Sequence, residues 1–149
     1  MKTVFTDEKD ERFLKLVKEL DYGYYKLIGD ELKKYEQYNE FNDPHFVILL
    51  LESEQAIACA SYRACGKDSV EFKRVYVKKE YRKRGIAFCL IRKLEEKAIE
   101  NGFRDSYIVT GKNNFAAIGL YEKLDYEKIA KFGQFKDDET VICMKKCFR

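Results

Sequence analysis

The spacing of apolar residues changes period several times along the chain, and each change marks an element. Phe13, Leu14, Val17 and Leu20 recur at helical spacing and a second amphipathic stretch covers 24–38, which predicts two opening helices joined at Asp21-Tyr-Gly-Tyr-Tyr25. After the break at Asn42-Asp43-Pro44, residues 45–52 are a run too short and too apolar for anything but a buried strand. Turn signals at 53–55 and 66–68 separate that run from 56–65 and 69–77, so three consecutive strands should form an antiparallel meander. The period then becomes helical from 85 to 101, through Ile86, Leu90, Ile91, Leu94 and Ala98, and Asn101-Gly102 supplies a stop tolerant of left-handed backbone.

A strand at 106–110 follows a helix that itself follows a strand, so it should lie parallel to 69–77 through a right-handed crossover. A short helix at 115–123 and strands at 126–130 and 140–148, flanking the loop 132–138, complete the pattern. The expected fold is one mixed α/β domain over residues 1–149: a mostly antiparallel sheet with one parallel βαβ crossover and flanking helices.

Composition narrows the classes. Hydrophobic residues at 46% support a core, and charged residues at 37% are nearly balanced, so the chain reads as globular rather than disordered. No apolar run approaches the ~20 residues of a membrane span, and the opening residues turn acidic before a secretory apolar core can form. A cytoplasmic protein without membrane contact is expected. The 5 Cys are odd in number with no metal-like spacing and read as free, mostly packed thiols. His45, the only His, begins a buried strand and reads as structural, so no metal site is expected. A net charge of +3 and the lack of a recognition motif argue against a nucleic-acid partner.

The distribution of charge is more informative than its sum. Lys73, Arg74, Lys78, Lys79, Arg82, Lys83 and Arg84 crowd one stretch, and 82–87 fall between a strand ending at Val77 and a helix beginning near Gly85. The first N–H groups of a helix lack internal acceptors and the macrodipole is positive there, while Gly85 and small Ala87 leave room for an anion. No Gly-x-Gly occurs, and Gly111-Lys112 lacks the rest of a P-loop, which removes the dinucleotide-fold and Walker readings. A solvated basic turn accounts equally well for the charge run by itself.

Arg82-x-x-Gly85-x-Ala87, following Arg74-Val-Tyr-Val77, resembles the Gln/Arg-x-x-Gly-x-Gly/Ala signature of the GCN5-related N-acetyltransferases. Residues 71–82 and Asn114-x-x-Ala117-x-x-Leu120-Tyr121, continuing to Tyr126, resemble two blocks of that family in the right order, and the likeness covers about 45–148. The family commonly has Gly where this chain has Asp125, a residue that tolerates left-handed backbone better than most. The resemblance implies acetyl-CoA as cofactor, its pyrophosphate held by N–H groups of Arg84, Gly85, Ile86 and Ala87, with charge added by Arg82 and Lys83. It further implies that Tyr76 and Val77 pair their main chains with the pantetheine arm, in a V-shaped slot between the strand before the cradle and the parallel strand after the helix. Asn114 could contact the same arm or simply cap its helix.

Acetyl transfer to a primary amine in a ternary complex needs a base, an oxyanion donor and an acid for the departing thiolate. The resemblance puts Glu71 at the position of a catalytic glutamate, the plainer reading being a cross-strand ion pair. It puts Tyr121 within reach of the thiolate, the plainer reading being aromatic packing. A backbone N–H near Val77 would meet the oxyanion. Tyr22, Tyr24, Tyr25 and Phe132 could wall a pocket for a small-molecule or peptide amine, and a homodimer pairing the final strands is compatible with the chain. The alternative is a non-catalytic acyl-CoA-binding module that kept the cradle without turnover.

Overall fold

Val47, Leu49 and Leu51 belong to one buried cluster and Ile48 and Leu50 to another, so the apolar run after Pro44 needs protein on both faces. The computed structural model describes residues 1–28 and 43–148, with the side chains of 24–28 left aside, and it supplies both covers. In chain order the elements are β1 (Lys2–Asp7), α1 (Glu11–Ile28), β2 (Phe46–Glu52), β3 (Gln55–Ala64), β4 (Ser69–Val77), α2 (Ile86–Glu100), β5 (Asp105–Gly111), α3 (Phe115–Lys123), β6 (Glu127–Ile129) and β7 (Val141–Cys147). A single-turn 3₁₀ helix, Lys79–Tyr81, leads from β4 toward α2.

The strands form one seven-stranded sheet in the order β1-β2-β3-β4-β5-β7-β6. Among the described strands only β4 and β5 run parallel, joined through α2, and every other neighbouring pair is antiparallel. This is the mixed, mostly antiparallel sheet with one βαβ crossover that the periodicity predicts. On one face α1 contributes Phe13, Leu16 and Val17 to a cluster with Val47, Leu49, Leu51, Ala56 and Cys59. On the other, α2 packs Leu90, Ile91, Leu94 and Ala98, and α3 packs Tyr121, against Ile48, Ala60, Phe72 and Ile108. Each fully buried large apolar side chain adds about 1.5–3 kcal/mol of transfer free energy.

Two local expectations are corrected. The chain opens with a strand and not a helix: β1 pairs antiparallel along the whole of β2, from Lys2 opposite Leu51 to Asp7 opposite Phe46. Val4 packs against the core under α1 and the exposed Phe5 against Phe46, an apolar pair too short to register as a period before the pairing partner is known. The stretch 21–25 is not a loop, because α1 continues through it to Ile28 and absorbs Gly23 at a cost of about 1 kcal/mol. The remainder of the second predicted helix, 29–38, lies outside the described residues. Among the described residues no helix is long and apolar enough to cross a membrane.

Candidate active site

The site begins with a fault in β4. Val70 and Phe72 point toward α2, but so do Val75 and Val77, while Tyr76 packs toward α1. Strict alternation would have turned 74 and 76 inward. The parity is reset by a β-bulge: Tyr76 stands opposite Cys59 and Lys73 opposite Ser61, so Arg74 and Val75 together face the single Ala60. Arg74 takes φ of 58°, in the left-handed region. The apolar spacing 70, 72, 75, 77 carries this slip in the sequence and is the signal that reveals it.

Beyond the bulge, β4 leaves its parallel neighbour. Pairing with β5 runs from Ser69 opposite Asp105 to Phe72 opposite Ile108 and stops there, although β4 continues to Val77 and β5 to Gly111. The two strands therefore part, and the V-shaped slot implied by the family resemblance is present. The Lys78 N–H bonds to the Ile57 carbonyl on β3, so alternation turns the polar groups of Val77 away from β3 and into the opening. Arg82 Nε donates to the Val77 carbonyl there at 2.8 Å, and its guanidinium lies over the Tyr76 ring, 5.6 Å from the centroid.

At the mouth of the slot α2 begins. Cys89 N–H makes a bond back to the Gly85 carbonyl at 3.1 Å, so the N–H groups of Ile86, Ala87 and Phe88 precede the helical ladder and have no acceptor within it. Gly85 is the N-cap at φ 74°, with no side-chain cap over it, and Lys83 is left-handed at φ 65°. Positive-φ residues flanking Arg84 give a turn of the kind that gathers successive N–H groups into an anion-binding concavity. A Cβ on Gly85 would meet nothing within 4 Å, so the protein itself requires glycine for its backbone angle, and only a ligand would feel the missing side chain. Arg82, Lys83, Arg84 and Gly85 are exposed, and Ile86 and Ala87 half-buried. Arg84 lies over the Tyr81 ring at 5.3 Å, and the Tyr81 hydroxyl bonds to the Glu52 carboxylate, tying the cradle turn to the end of β2. A depression of about 310 Å³ bordered by Arg84, Gly85, Ile86 and Lys93 opens on the β1 side of the same helix end.

Glu71 and Tyr121 occupy different settings. Glu71 is buried on the α1 face, directly opposite Arg63 on β3, whose Nη2 approaches its carboxylate at 2.8 Å; Lys73 Nζ stands 3.9 Å away. Arg63 also reaches Asp43 at 3.1 Å. Burial holds the Lys73 ammonium below its usual range, with Glu71 pulling the other way. The ion-pair reading of Glu71 is thus what the geometry displays. Tyr121 is buried on α3, its ring edge-on to Tyr126 at 5.7 Å. Asn114 caps α3, its Oδ1 accepting from Ala117 N–H at 3.2 Å, so the capping reading is the one the geometry displays. Asp125 adopts φ of 71°, the left-handed turn that Gly would have filled.

A polar group beneath Tyr121 escaped the sequence reading. The Tyr126 hydroxyl bonds to Ser106 and, at 3.1 Å, to Glu95, and Lys146 Nζ reaches Glu95 at 3.0 Å. Burial and the neighbouring Glu95 raise Tyr126 far above the ordinary phenol range, so this hydroxyl is a fixed strut. Its residues come from α2, β5, β7 and the connection between α3 and β6, and no local spacing joins them. Of the proposed pocket aromatics, Tyr22 is exposed on α1, and Phe132 packs edge-on against Tyr107 at 5.2 Å. The side chains of Tyr24 and Tyr25 lie outside the described residues. His45 is buried, its Nδ1 3.4 Å from Ser61 Oγ and its N–H bonded to Glu8, and burial pushes its pKa down to about 4.

Comparisons with known proteins agree with this arrangement. A Yersinia pestis acetyltransferase is 50% identical over 48 residues, 32% of this chain and 34% of that protein, so the match spans about a third of the relative's length. A GNAT-family acetyltransferase structure from Staphylococcus aureus superposes with a TM-score of 0.74 at 14% identity, covering 99% of this chain and 100% of the other. The PaiA N-acetyltransferase of Thermoplasma acidophilum, solved in complex with coenzyme A, gives 0.72 at 14% identity, covering 97% and 99%. At such identities the likeness is one of fold. The acetyltransferase (GNAT) family model matches residues 11–126, from the start of α1 to the turn after α3, and the chain belongs to that family.

Proposed function

We propose that the protein moves an acetyl group from acetyl-CoA to a primary amine, by direct attack of the amine within a ternary complex. The observation that carries this reading is the parting of β4 from β5 beyond Phe72 and Ile108, with the open N-terminus of α2 at the mouth of the gap. The residues present suit coenzyme A. The N–H groups of Arg84, Gly85, Ile86 and Ala87 would hold the pyrophosphate, with Lys83 and Arg82 adding positive charge. The main chains of Tyr76 and Val77 would take the pantetheine arm once Arg82 releases the Val77 carbonyl, and the NH₂ of Asn114 would steady its far side. Bound there, acetyl-CoA supplies the activated thioester.

The chain's own groups would do the rest. A backbone N–H near Val77 would meet the developing oxyanion. Tyr121, its ring braced by the anchored Tyr126, would return a proton to the departing thiolate. Glu71, held by Arg63 and Lys73, would act as base through an ordered water, because its carboxylate is already engaged. The acceptor is a small-molecule or peptide amine entering over Phe132 on the α1 side, in the cytoplasm. The same ion pairing favours the second reading, an acyl-CoA-binding module without turnover.

Thermal unfolding with and without acetyl-CoA tests the cradle. Ligand at a hundred times its dissociation constant should add about 2.7 kcal/mol, a rise of several degrees that adenosine without phosphates does not produce. Release of free thiol on adding amines separates the enzyme from the binding module. No shift at saturating acetyl-CoA would end both readings.

A further inference from the structure

Arg74 is a left-handed residue in the middle of a strand, a conformation that costs an L-residue about 1–2 kcal/mol and persists only where its surroundings enforce it. Three contacts enforce it here. Ser61 Oγ donates to the Lys73 carbonyl at 2.8 Å, and Cys59 Sγ donates to the Arg74 carbonyl at 3.3 Å. Two β3 side chains thus take acceptors that the bulge has drawn out of the ladder. The Arg74 guanidinium, nearly buried, pairs with Asp21 on α1. Burial pushes the Cys59 thiol up to about 12, so it keeps the proton it donates.

All four residues lie on β3, β4 and α1, whereas the slot opens on the other edge of β4. Without the bulge, the alternation set by Val70 and Phe72 would continue, Val75 and Val77 would rotate out of the core, and β4 would be free to follow β5 past Ile108. We propose that Cys59, Ser61 and the Asp21–Arg74 pair are positioning residues that hold the bulge and so set the slot, governing binding of the acyl-pantetheine arm and leaving the nucleotide end of acetyl-CoA untouched. This rests on the acetyl-CoA reading above.

Calorimetric titration of the purified protein with acetyl-CoA, and separately with adenosine 3′-phosphate 5′-diphosphate, which has the nucleotide but no arm, tests the latch. Cys59→Ala should weaken acetyl-CoA about five- to tenfold, the worth of one hydrogen bond, with the nucleotide fragment unchanged. Cys59→Ser, the same branching with a hydrogen-bond donor retained, should restore the affinity. Asp21→Asn, at a carboxylate 39% exposed, weakens the hold on Arg74 from outside the core and should act in the same direction. A general loss of structure would weaken both ligands alike, and that result overturns the latch. Wild-type binding of acetyl-CoA with both Cys59→Ala and Asp21→Asn unchanged also overturns it, and leaves the proposed function standing. A wild-type chain that binds neither ligand sinks the acetyl-CoA reading, and the latch as a cofactor device with it.

Discussion

The two halves of β4 are built from similar residues and do opposite work. From Ser69 to Phe72 the strand is paired on both sides, and Val70, Glu71 and Phe72 are buried. From 73 to 77 it keeps β3 but loses β5, every residue is half-buried, and one backbone angle is left-handed. In the first half the backbone polar groups are spent on neighbouring strands. In the second, those not bonded to β3 are held by Ser61, Cys59 and Arg82 or turned toward an open slot. A sheet satisfied on both edges is stable and chemically inert, and a strand gains ligand-binding capacity where it gives up a partner.

Breaking the first half should cost the most. Phe72→Ala should lower unfolding free energy by about 3–5 kcal/mol in denaturant titrations, through lost packing against Tyr62 and within the buried cluster that α2 covers. If the loss is under 1 kcal/mol, the contrast between the halves is not one of stability. In the second half and its cradle, substitutions should strike binding and spare the fold. Gly85→Glu should abolish acetyl-CoA binding, removing the roughly 2.7 kcal/mol of ligand stabilisation, because a carboxylate then faces the pyrophosphate and φ of 74° disfavours any side chain. Retained binding would move the phosphates elsewhere.

Tyr121→Phe sharpens the comparison at the chemical step. It should lower kcat about 10- to 100-fold with the KM for acetyl-CoA unchanged, and a change in KM alone would make the hydroxyl a binding group. A pH-dependent effect concerns the junction of the halves, where His45 meets Ser61. The folded state holds this imidazole near pKa 4 against an ordinary 6.5, so the unfolded chain takes up the proton first. Stability should therefore decline as pH falls from about 6.5 to about 4, and His45→Gln should flatten that slope in pH-dependent melting. An unchanged slope would place the titrating group elsewhere.

How legible each part was follows from how local its cause is. The meander, α2 and its stop, and the cradle depend on near neighbours: the period at Ile86, Leu90 and Leu94, the Gly85 backbone, the basic turn before it. The left-handed turn at Asp125 was legible only through the family resemblance, which has Gly there, together with the tolerance of Asp for that backbone. β1 was not, since its strand character comes from pairing with β2, and α1 outran Gly23 because packing outweighs a glycine's propensity cost. The bulge lay between these cases, written in the slip from Phe72 to Val75 but decipherable only once β3 supplied the register.

By itself, then, the sequence determined the order and period of the elements from β2 onward and the basic turn at 82–87 that leads into α2, because these rest on interactions within a few positions of the chain. The tertiary structure alone decided that β4 and β5 part after Phe72, that Glu71 is locked to Arg63, and that Tyr126 is anchored by Ser106 and Glu95 beneath Tyr121. Those contacts join residues far apart in the chain, and their energies exist only when the folded sheet and helices bring the partners within hydrogen-bonding distance.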